Sequence, residues 1–462
     1  MDTSRTWCAF TLGKLGLGSL CAAGVVGIAW LGLSAPARAQ GPGRDPRLPP
    51  NVLLIIADDV GWRDISPHAP TPNIDLLRSQ GLTFTRAYSM PVCSPTRYSV
   101  MFGRYGFRDG VGDKLDSYHP PSETNPAPAP TLFSLPRMMK ARGYGTMLAG
   151  KWHLGATDLG CLPLTPNLYG FDSYAAGSLG NLAEAPQGSG YFDWLRVDAG
   201  AFSLSTEYAT SAVRNAALQW WTNTEAPRFA VVAFQAAHLP LHVPPPELLP
   251  KGYPPPRTAR QKFEAAVVAM DTALGDILSL VDLTDTYVFF LSDNGTPLEA
   301  AASDQDPNKV KGTTFEGGIH VPFVVAGPDV PVNQTTDTLI HTVDLVATLA
   351  ALLGERLPIG VAEDSIPFYE GWKSPREVAY AEVFTAAMVD PPGTRRPPDP
   401  GDEDGHVDRA AFTRRYKLRE VNDEQELYDL VLDPAEEHPL DPDTFANQGV
   451  VRRLRLELER LQ

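Results

Sequence analysis

Four apolar runs constrain this chain more than any other feature. Val52–Ala57 is unbroken and leads straight into Asp58-Asp59. Phe229–His238 (FAVVAFQAAH) ends in histidine, Tyr287–Asn294 (YVFFLSDN) ends in Asp-Asn, and Phe323–Gly327 (FVVAG) is shorter. A strand with one wet face alternates apolar and polar residues; a run apolar on both faces reads as a buried parallel strand. Helical patterns lie around and between the runs, at Asn73–Gln80, Thr131–Arg142, Thr206–Asn223, Arg257–Val281 and Leu345–Leu353. This alternation predicts an α/β fold, a large and mostly parallel sheet sandwiched by helices. Such sheets bind ligands beyond the carboxyl ends of their strands. Three of the runs deliver Asp, His and Asn to that edge.

The 462 residues leave room for a second, smaller unit. Arg414–Val421 and Glu426–Leu430 read as short strands and Gln448–Leu461 as a charged helix. The expected division is a main domain over 51–370 and an α+β C-terminal subdomain over 371–462. Proline-rich segments at His119–Pro130 and Leu239–Pro256 read as surface loops. The acidic, proline-rich Asp390–Asp408 is expected to be mobile.

Residues 1–39 have the layout of an export signal. Arg5 and Lys14 precede an uncharged stretch from Leu15 to Pro36, and Ala37-Arg38-Ala39 closes it as a cleavage site. The stretch is also long enough to serve as an uncleaved anchor. Residues 40–50 follow as a Pro/Gly linker. The expected location is periplasmic or secreted. Two of the four cysteines fall in this leader, leaving Cys93 and Cys161. One disulfide between them is the plain reading for an exported chain. The formal net charge of -16 argues against nucleic acid as a partner. An anionic substrate would need a local pocket of Lys, Arg and His. Nothing in the sequence sets an oligomeric state.

Cys93-Ser94-Pro95-Thr96-Arg97 points to other chemistry. A Cys just before a Pro that can open a helix lies where backbone N–H groups stabilise negative charge, and Arg97 is one turn further on. That arrangement suits an activated thiol or an oxygen nucleophile made from it. Asp58, Asp59, Asp293 and Asn294 are hard oxygen donors at two strand ends, with no Cys or His at soft-metal spacing. They favour Ca²⁺ or Mg²⁺ over zinc. Lys151 and His153 lie two residues apart, so an extended backbone would point both the same way.

The C-x-P-x-R core, with Gly143-Tyr144-Gly145-Thr146-Met147-Leu148-Ala149-Gly150-Lys151-Trp152-His153-Leu154-Gly155, resembles the type I sulfatases, formylglycine-dependent members of the alkaline-phosphatase-like superfamily. Asp293-Asn294-Gly295, Lys311-Gly312-Thr313-Thr314-Phe315-Glu316-Gly317-Gly318 and the terminal Glu426–Leu430 with Asp433-Pro434 follow in that family's order. The resemblance makes 51–370 a sulfatase catalytic domain. It implies a sulfuric ester hydrolase, arylsulfatase-like, that releases an alcohol and inorganic sulfate. It also implies that a formylglycine-generating maturation enzyme oxidises Cys93 to formylglycine. The hydrated aldehyde is then a gem-diol whose one hydroxyl attacks sulfur to give a covalent sulfo-enzyme, while the second expels sulfate. Carried over, Arg97 and Lys151 stabilise the diol and His153 is the base of the second step. His238 and Lys311, with Lys151, hold the sulfate, and the first two protonate the leaving oxygen. Asp58, Asp59, Asp293, Asn294 and the oxygen at position 93 hold Ca²⁺, less readily Mg²⁺. The substrate is a sulfated small molecule or saccharide. His242 is a weaker candidate for contact with substrate.

Some positions depart from the family. Phe102-Gly103-Arg104 stands where Thr-Gly-Arg is usual, Thr96 replaces the commoner Ser or Ala, and His320 stands where Arg is frequent. A phosphate or phosphonate monoester hydrolase of the same fold is the alternative reading. A calcium-stabilised binding protein without turnover is the third.

Overall fold

The computed structural model describes residues 49–461, apart from 123–124, 156–158, 385–388, 391–393 and 396–406. The expected export signal lies outside the described residues, as do most of the linker after it and most of the acidic Asp390–Asp408 segment. Among the described residues no helix is long and apolar enough to cross a membrane.

An 11-stranded sheet forms the frame. Its strands are β1 (Asn51–Ala57), β2 (Gly81–Tyr88), β3 (Gly145–Lys151), β4 (Ser173–Ser178), β5 (Gly188–Gly190), β6 (Asp193–Asp198), β7 (Ala201–Ser205), β8 (Arg228–Ala233), β9 (Thr286–Ser292), β10 (Phe323–Ala326) and β11 (Gln334–His341). The order is β11-β2-β10-β9-β1-β8-β3-β4-β6-β5, with β7 on β6. The five central strands β9, β1, β8, β3 and β4 pair in parallel, and so do β2 and β11. The Phe323 run is antiparallel to both its neighbours, so its apolar character reports burial rather than direction.

Helices cover both faces, as the apolar runs require. Val52, Leu54 and Ile56 of β1 enter one core with α2 (Cys93–Phe102), α3 (Leu135–Ala141) and α6 (Leu345–Leu352). Leu53, Ile55 and Ala57 enter a second core with α1 (Pro72–Ser79), α4 (Ala209–Asn223) and α5 (Ala259–Leu278). Each fully buried side chain of this size contributes about 1.5–3 kcal/mol, so β1 is committed on both faces. α3 starts four residues later than its periodicity suggests, after Ser134 and with Pro136 in its first turn. Thr258 caps α5, its side chain accepting from Gln261 N.

A separate antiparallel sheet follows: β12 (Ala379–Phe384), β13 (Val407–Phe412), β14 (Tyr416–Val421) and β15 (Glu424–Asp429), in that order. α7 (Gln448–Arg460) packs Val451, Leu454 and Leu458 into the same core. β13 takes up the last two residues of the segment read as an acidic loop.

Candidate active site

Four adjacent strands, β9, β1, β8 and β3, end at one edge and supply most of the site. Asp58 and Asp59 follow β1, Asp293 and Asn294 follow β9, Lys151 closes β3, and His238 lies five residues past β8. Gly150 makes the turn of Lys151 possible. A Cβ there would lie 2.0 Å from Ala233 O, and the β3–β4 register slips at that point. His153 has φ 59° and Asp59 φ 65°, left-handed conformations costing of order 1 kcal/mol for such residues. The Lys151–His153 segment is therefore not extended. His153 enters the site through a left-handed turn.

Cys93 is the first residue of α2, so the helix opens two residues before Pro95. Its thiol is free, which rules out the plain disulfide reading, and Sγ lies 3.1 Å from His153 Nδ1. Burial pushes this thiol up, against the pull of Lys151 and Lys311. Burial, then Lys151 and Arg97, hold His153 well below the usual histidine range, so its ring is neutral.

Charges are paired around it. Lys151 Nζ donates to Asp58 Oδ2 at 2.5 Å and Lys311 Nζ to Asp59 Oδ1 at 2.6 Å. Arg97 clasps Asp293 Oδ2 through Nε and Nη2 at 2.9 and 2.7 Å, and Nη1 donates to Lys151 O at 3.0 Å. His238 Nε2 is 3.8 Å from Asp59 Oδ2. Burial alone would raise the Asp59 carboxyl, but Lys311 and His238 outweigh it and hold it below its ordinary value. Formally, three carboxylates (Asp58, Asp59, Asp293) balance three cations (Arg97, Lys151, Lys311).

Three buried oxygens of this cluster have no hydrogen-bond partner among the described residues: Asp58 Oδ1, Asp59 Oδ2 and Asn294 Oδ1. An unmet buried acceptor costs about 1–3 kcal/mol. Hard oxygens left unmet at one strand edge fit a Ca²⁺- or Mg²⁺-type ion. Asp58, Asp59 and His238 can bring ligand atoms within 4.8 Å of one another. Asp293 is engaged otherwise, with Oδ2 on Arg97 and Oδ1 accepting from Asp59 N at 3.2 Å.

The loop carrying Lys311 is anchored from the C-terminal sheet, a link the sequence reading missed. Asp408 accepts from Thr314 N (3.0 Å) and Thr314 Oγ1 (2.5 Å), and Arg419 Nη2 pairs with Asp408 at 2.8 Å. Lys417 Nζ reaches Thr314 O (3.0 Å), Glu316 (2.9 Å) and Glu436 (3.0 Å). The available signal was Lys417 and Arg419 two residues apart on one strand, which puts two long cations on one face.

His242, the weaker candidate, and two of the positions that depart from the family are engaged by other partners. His242 stacks on Tyr191 at 3.8 Å and uses both ring nitrogens, on Tyr208 Oη and Pro240 O. Burial lowers it to about 4. His320 is stacked between Trp62 and Tyr88 and pairs with Glu316. Arg104 pairs with Asp109 and Glu363.

The family model described as Sulfatase matches residues 50–355. The chain belongs to the sulfatase family. It is 31% identical over 353 residues to N-acetylgalactosamine-6-sulfatase of Homo sapiens, covering 69% of this chain and 65% of that protein. It is 30% identical over 349 residues to arylsulfatase A of Bos taurus, covering 67% of this chain and 65% of that one. This sulfatase-family chain thus spans a little under two thirds of those relatives. Among solved structures it superimposes on Ps i-CgsB with TM-score 0.73 at 25% identity, covering 89% of this chain and 92% of the other. The PsFucS1 sulfatase from Pseudoalteromonas sp. shares the fold at TM-score 0.67 and 20% identity, covering 89% of each chain.

Proposed function

We propose that this chain hydrolyses a sulfate monoester to an alcohol and inorganic sulfate, with Cys93 matured to formylglycine as the nucleophile. The observation that carries the reading is the trio of unmet oxygens on Asp58, Asp59 and Asn294 inside a charge-balanced cluster that also holds position 93. Because the side-chain charges already cancel, a divalent cation would leave the pocket positive and ready for an anion. Asp58, Asp59 and Asn294, with Asp293 beside them, would hold that cation, Ca²⁺ by resemblance, and it would supply Lewis-acid stabilisation of sulfuryl oxygens. The aldehyde, once hydrated by one water, would supply an oxygen nucleophile and a second hydroxyl; Sγ of Cys93 stands in for its oxygen.

The chain's own groups do the rest. The α2 N-terminus, Arg97 and Lys151 stabilise negative charge at position 93. His153, with Nδ1 turned to that position, accepts a proton from it. His238 and Lys311, at the more open side of the cluster, hold the sulfate and give a proton to the leaving oxygen. The N-acetylgalactosamine-6-sulfatase relatives support a sulfated saccharide as substrate. Export to the periplasm or medium and maturation by a formylglycine-generating enzyme belong to the same proposal.

The test is a paired assay of an aryl sulfate and the matching aryl phosphate, on protein whose position 93 is read by peptide mapping. The expected result is an aldehyde at 93 and a kcat/KM ratio favouring sulfate by at least about 10²-fold, ~2.7 kcal/mol. Cys93→Ala should remove turnover and leave the fold intact. A phosphate preference, or full activity with an intact thiol, overturns the reading.

A further inference from the structure

His238 belongs to no strand or helix. β8 ends at Ala233, and His238 closes a turn beyond it in which its N–H donates to Gln235 O at 2.9 Å. The turn is tied to the strand edge where Ala237 N donates to Asp58 O at 2.6 Å. The β8 ladder therefore does not set the direction of the imidazole. A proton donor is effective only when its atom is held within hydrogen-bond reach of the group it serves.

The side chain that meets this turn is Tyr191, which stands between β5 and β6 and is 2% exposed. Its hydroxyl reaches both ends of the turn, Gln235 O at 2.5 Å and His238 O at 2.8 Å. Gln235 O has a second donor in His238 N. Among the described residues, His238 O has the Tyr191 hydroxyl alone. Tyr191 is itself held: its ring stacks on His242 at 3.8 Å, and its carbonyl accepts from Ala209 N of α4 at 2.9 Å. Gly190 before it lies so close to the loop that a Cβ there would be 2.7 Å from Pro240 Cγ. On the ring of His238, Nδ1 donates to Leu239 O at 2.9 Å, which leaves Nε2 toward the site, 3.8 Å from Asp59 Oδ2. Two successive carbonyls thus set the aim of the imidazole, one bonded to its own ring and the other to Tyr191.

We infer that Tyr191 is a positioning residue, whose hydroxyl fixes the Gln235–His238 turn and so aims His238 Nε2 at the leaving oxygen. The inference rests on the sulfatase reading and adds to it a residue that acts through His238. When the bond from sulfur to the leaving oxygen breaks, its electron pair goes to that oxygen, and His238 Nε2 supplies the proton that neutralises it. A basic phenolate needs this proton, whereas a nitrophenolate leaves well without it. A misdirected His238 therefore slows esters of basic leaving groups selectively. A general loosening of the site would slow all esters alike.

The experiment measures kcat/KM for phenyl sulfate and nitrophenyl sulfate with wild type, Tyr191→Phe, His238→Ala and the double variant, all with the aldehyde at position 93 verified and calcium present. Tyr191→Phe removes one oxygen and keeps the ring against His242, and circular dichroism checks that the fold is retained. Tyr191→Phe is expected to lose at least about tenfold on phenyl sulfate and to stay within about threefold of wild type on nitrophenyl sulfate. His238→Ala should show the same split more strongly, and the double variant should lose no more than about threefold beyond His238→Ala, because both changes remove one function. Equal losses of Tyr191→Phe on the two esters, no loss on either, or losses that multiply in the double variant overturn the inference. So does a His238→Ala variant without the split. A wild type that cleaves neither ester instead refutes the sulfatase reading beneath it.

Discussion

Lys311 and Glu316 are close neighbours in sequence, yet they belong to two buried clusters of charge built for different ends. Lys311 faces the strand edge, where Asp58 and Asp59 each give one oxygen to a lysine and keep the other unmet. Glu316 faces the C-terminal sheet. There it pairs with Lys417 at 2.9 Å and His320 at 3.1 Å, and its backbone N–H donates to Glu436 at 2.6 Å. Close by, Arg419 pairs with Asp408 and covers the Phe315 ring at 3.6 Å. In the second cluster every named charge has an opposite charge close by, and the one oxygen without a hydrogen bond among the described residues, Glu436 Oε1, is ion-paired with Lys417 Nζ at 3.0 Å. The first is balanced in charge and leaves three oxygens unmet, which is the opening the proposed cation would fill. A buried polar atom without a partner calls for an explanation, and a bound ion is one.

The sharpest way to break this contrast is to remove Lys417, which is 0% exposed. Lys417→Met leaves Glu316 and Glu436 buried without their cation. Losing one partner of a buried pair costs about 3–5 kcal/mol. Thermal or denaturant unfolding should show that loss, and a change under about 1 kcal/mol would mean that the anchor is not structural.

Asp59→Asn should behave in the opposite way. It removes the charge that pairs with Lys311 and replaces one of the two oxygens by an amide nitrogen, so function should suffer more than stability. The expectation is lower bound divalent cation, measured by elemental analysis, and at least about 10²-fold lower kcat/KM, ~2.7 kcal/mol. Unfolding in chelator should show a smaller loss than Lys417→Met, because the Lys311 partner that Asp59 leaves behind is partly open to solvent. Unchanged metal content, or a stability loss as large as that of Lys417→Met, would erase the distinction.

The smallest effect is a pH dependence. Burial would raise Glu316, but Lys417 and His320 hold it below its ordinary value of 4.5. Its folded-state value is depressed, so its contribution is present above that ordinary value and is lost as pH falls through and below it. Burial raises Glu436 despite Lys417, which has the opposite sign and softens the loss. Melting temperature should therefore drop below about pH 4.5, and Glu316→Gln should flatten that limb by about 1 kcal/mol. Parallel melting curves for wild type and variant would assign the acid limb to other carboxylates.

Much of this was readable from local pattern. The doubly apolar runs announced the central strands β1, β8 and β9, and the residues after them marked the edge where the candidate site residues gather. Other strands were not announced. β2 (GLTFTRAY) carries polar residues within its run, and β3 ends in the lysine motif, so neither shows an unbroken apolar stretch.

The sequence by itself determined which side chains are candidates for the chemistry and that they sit beyond strand ends. Burial on both faces and the period of a strand are properties of a few consecutive residues. Only the tertiary structure decided that β9, β1, β8 and β3 are neighbours, and that β10 runs against them. It also decided that Asp293 serves Arg97, and that Lys417 reaches across more than 100 residues of chain to Glu316. Those pairings depend on strand order and on which buried charges find a partner. That is a balance of desolvation against contact across the whole fold, and no local stretch of residues encodes it.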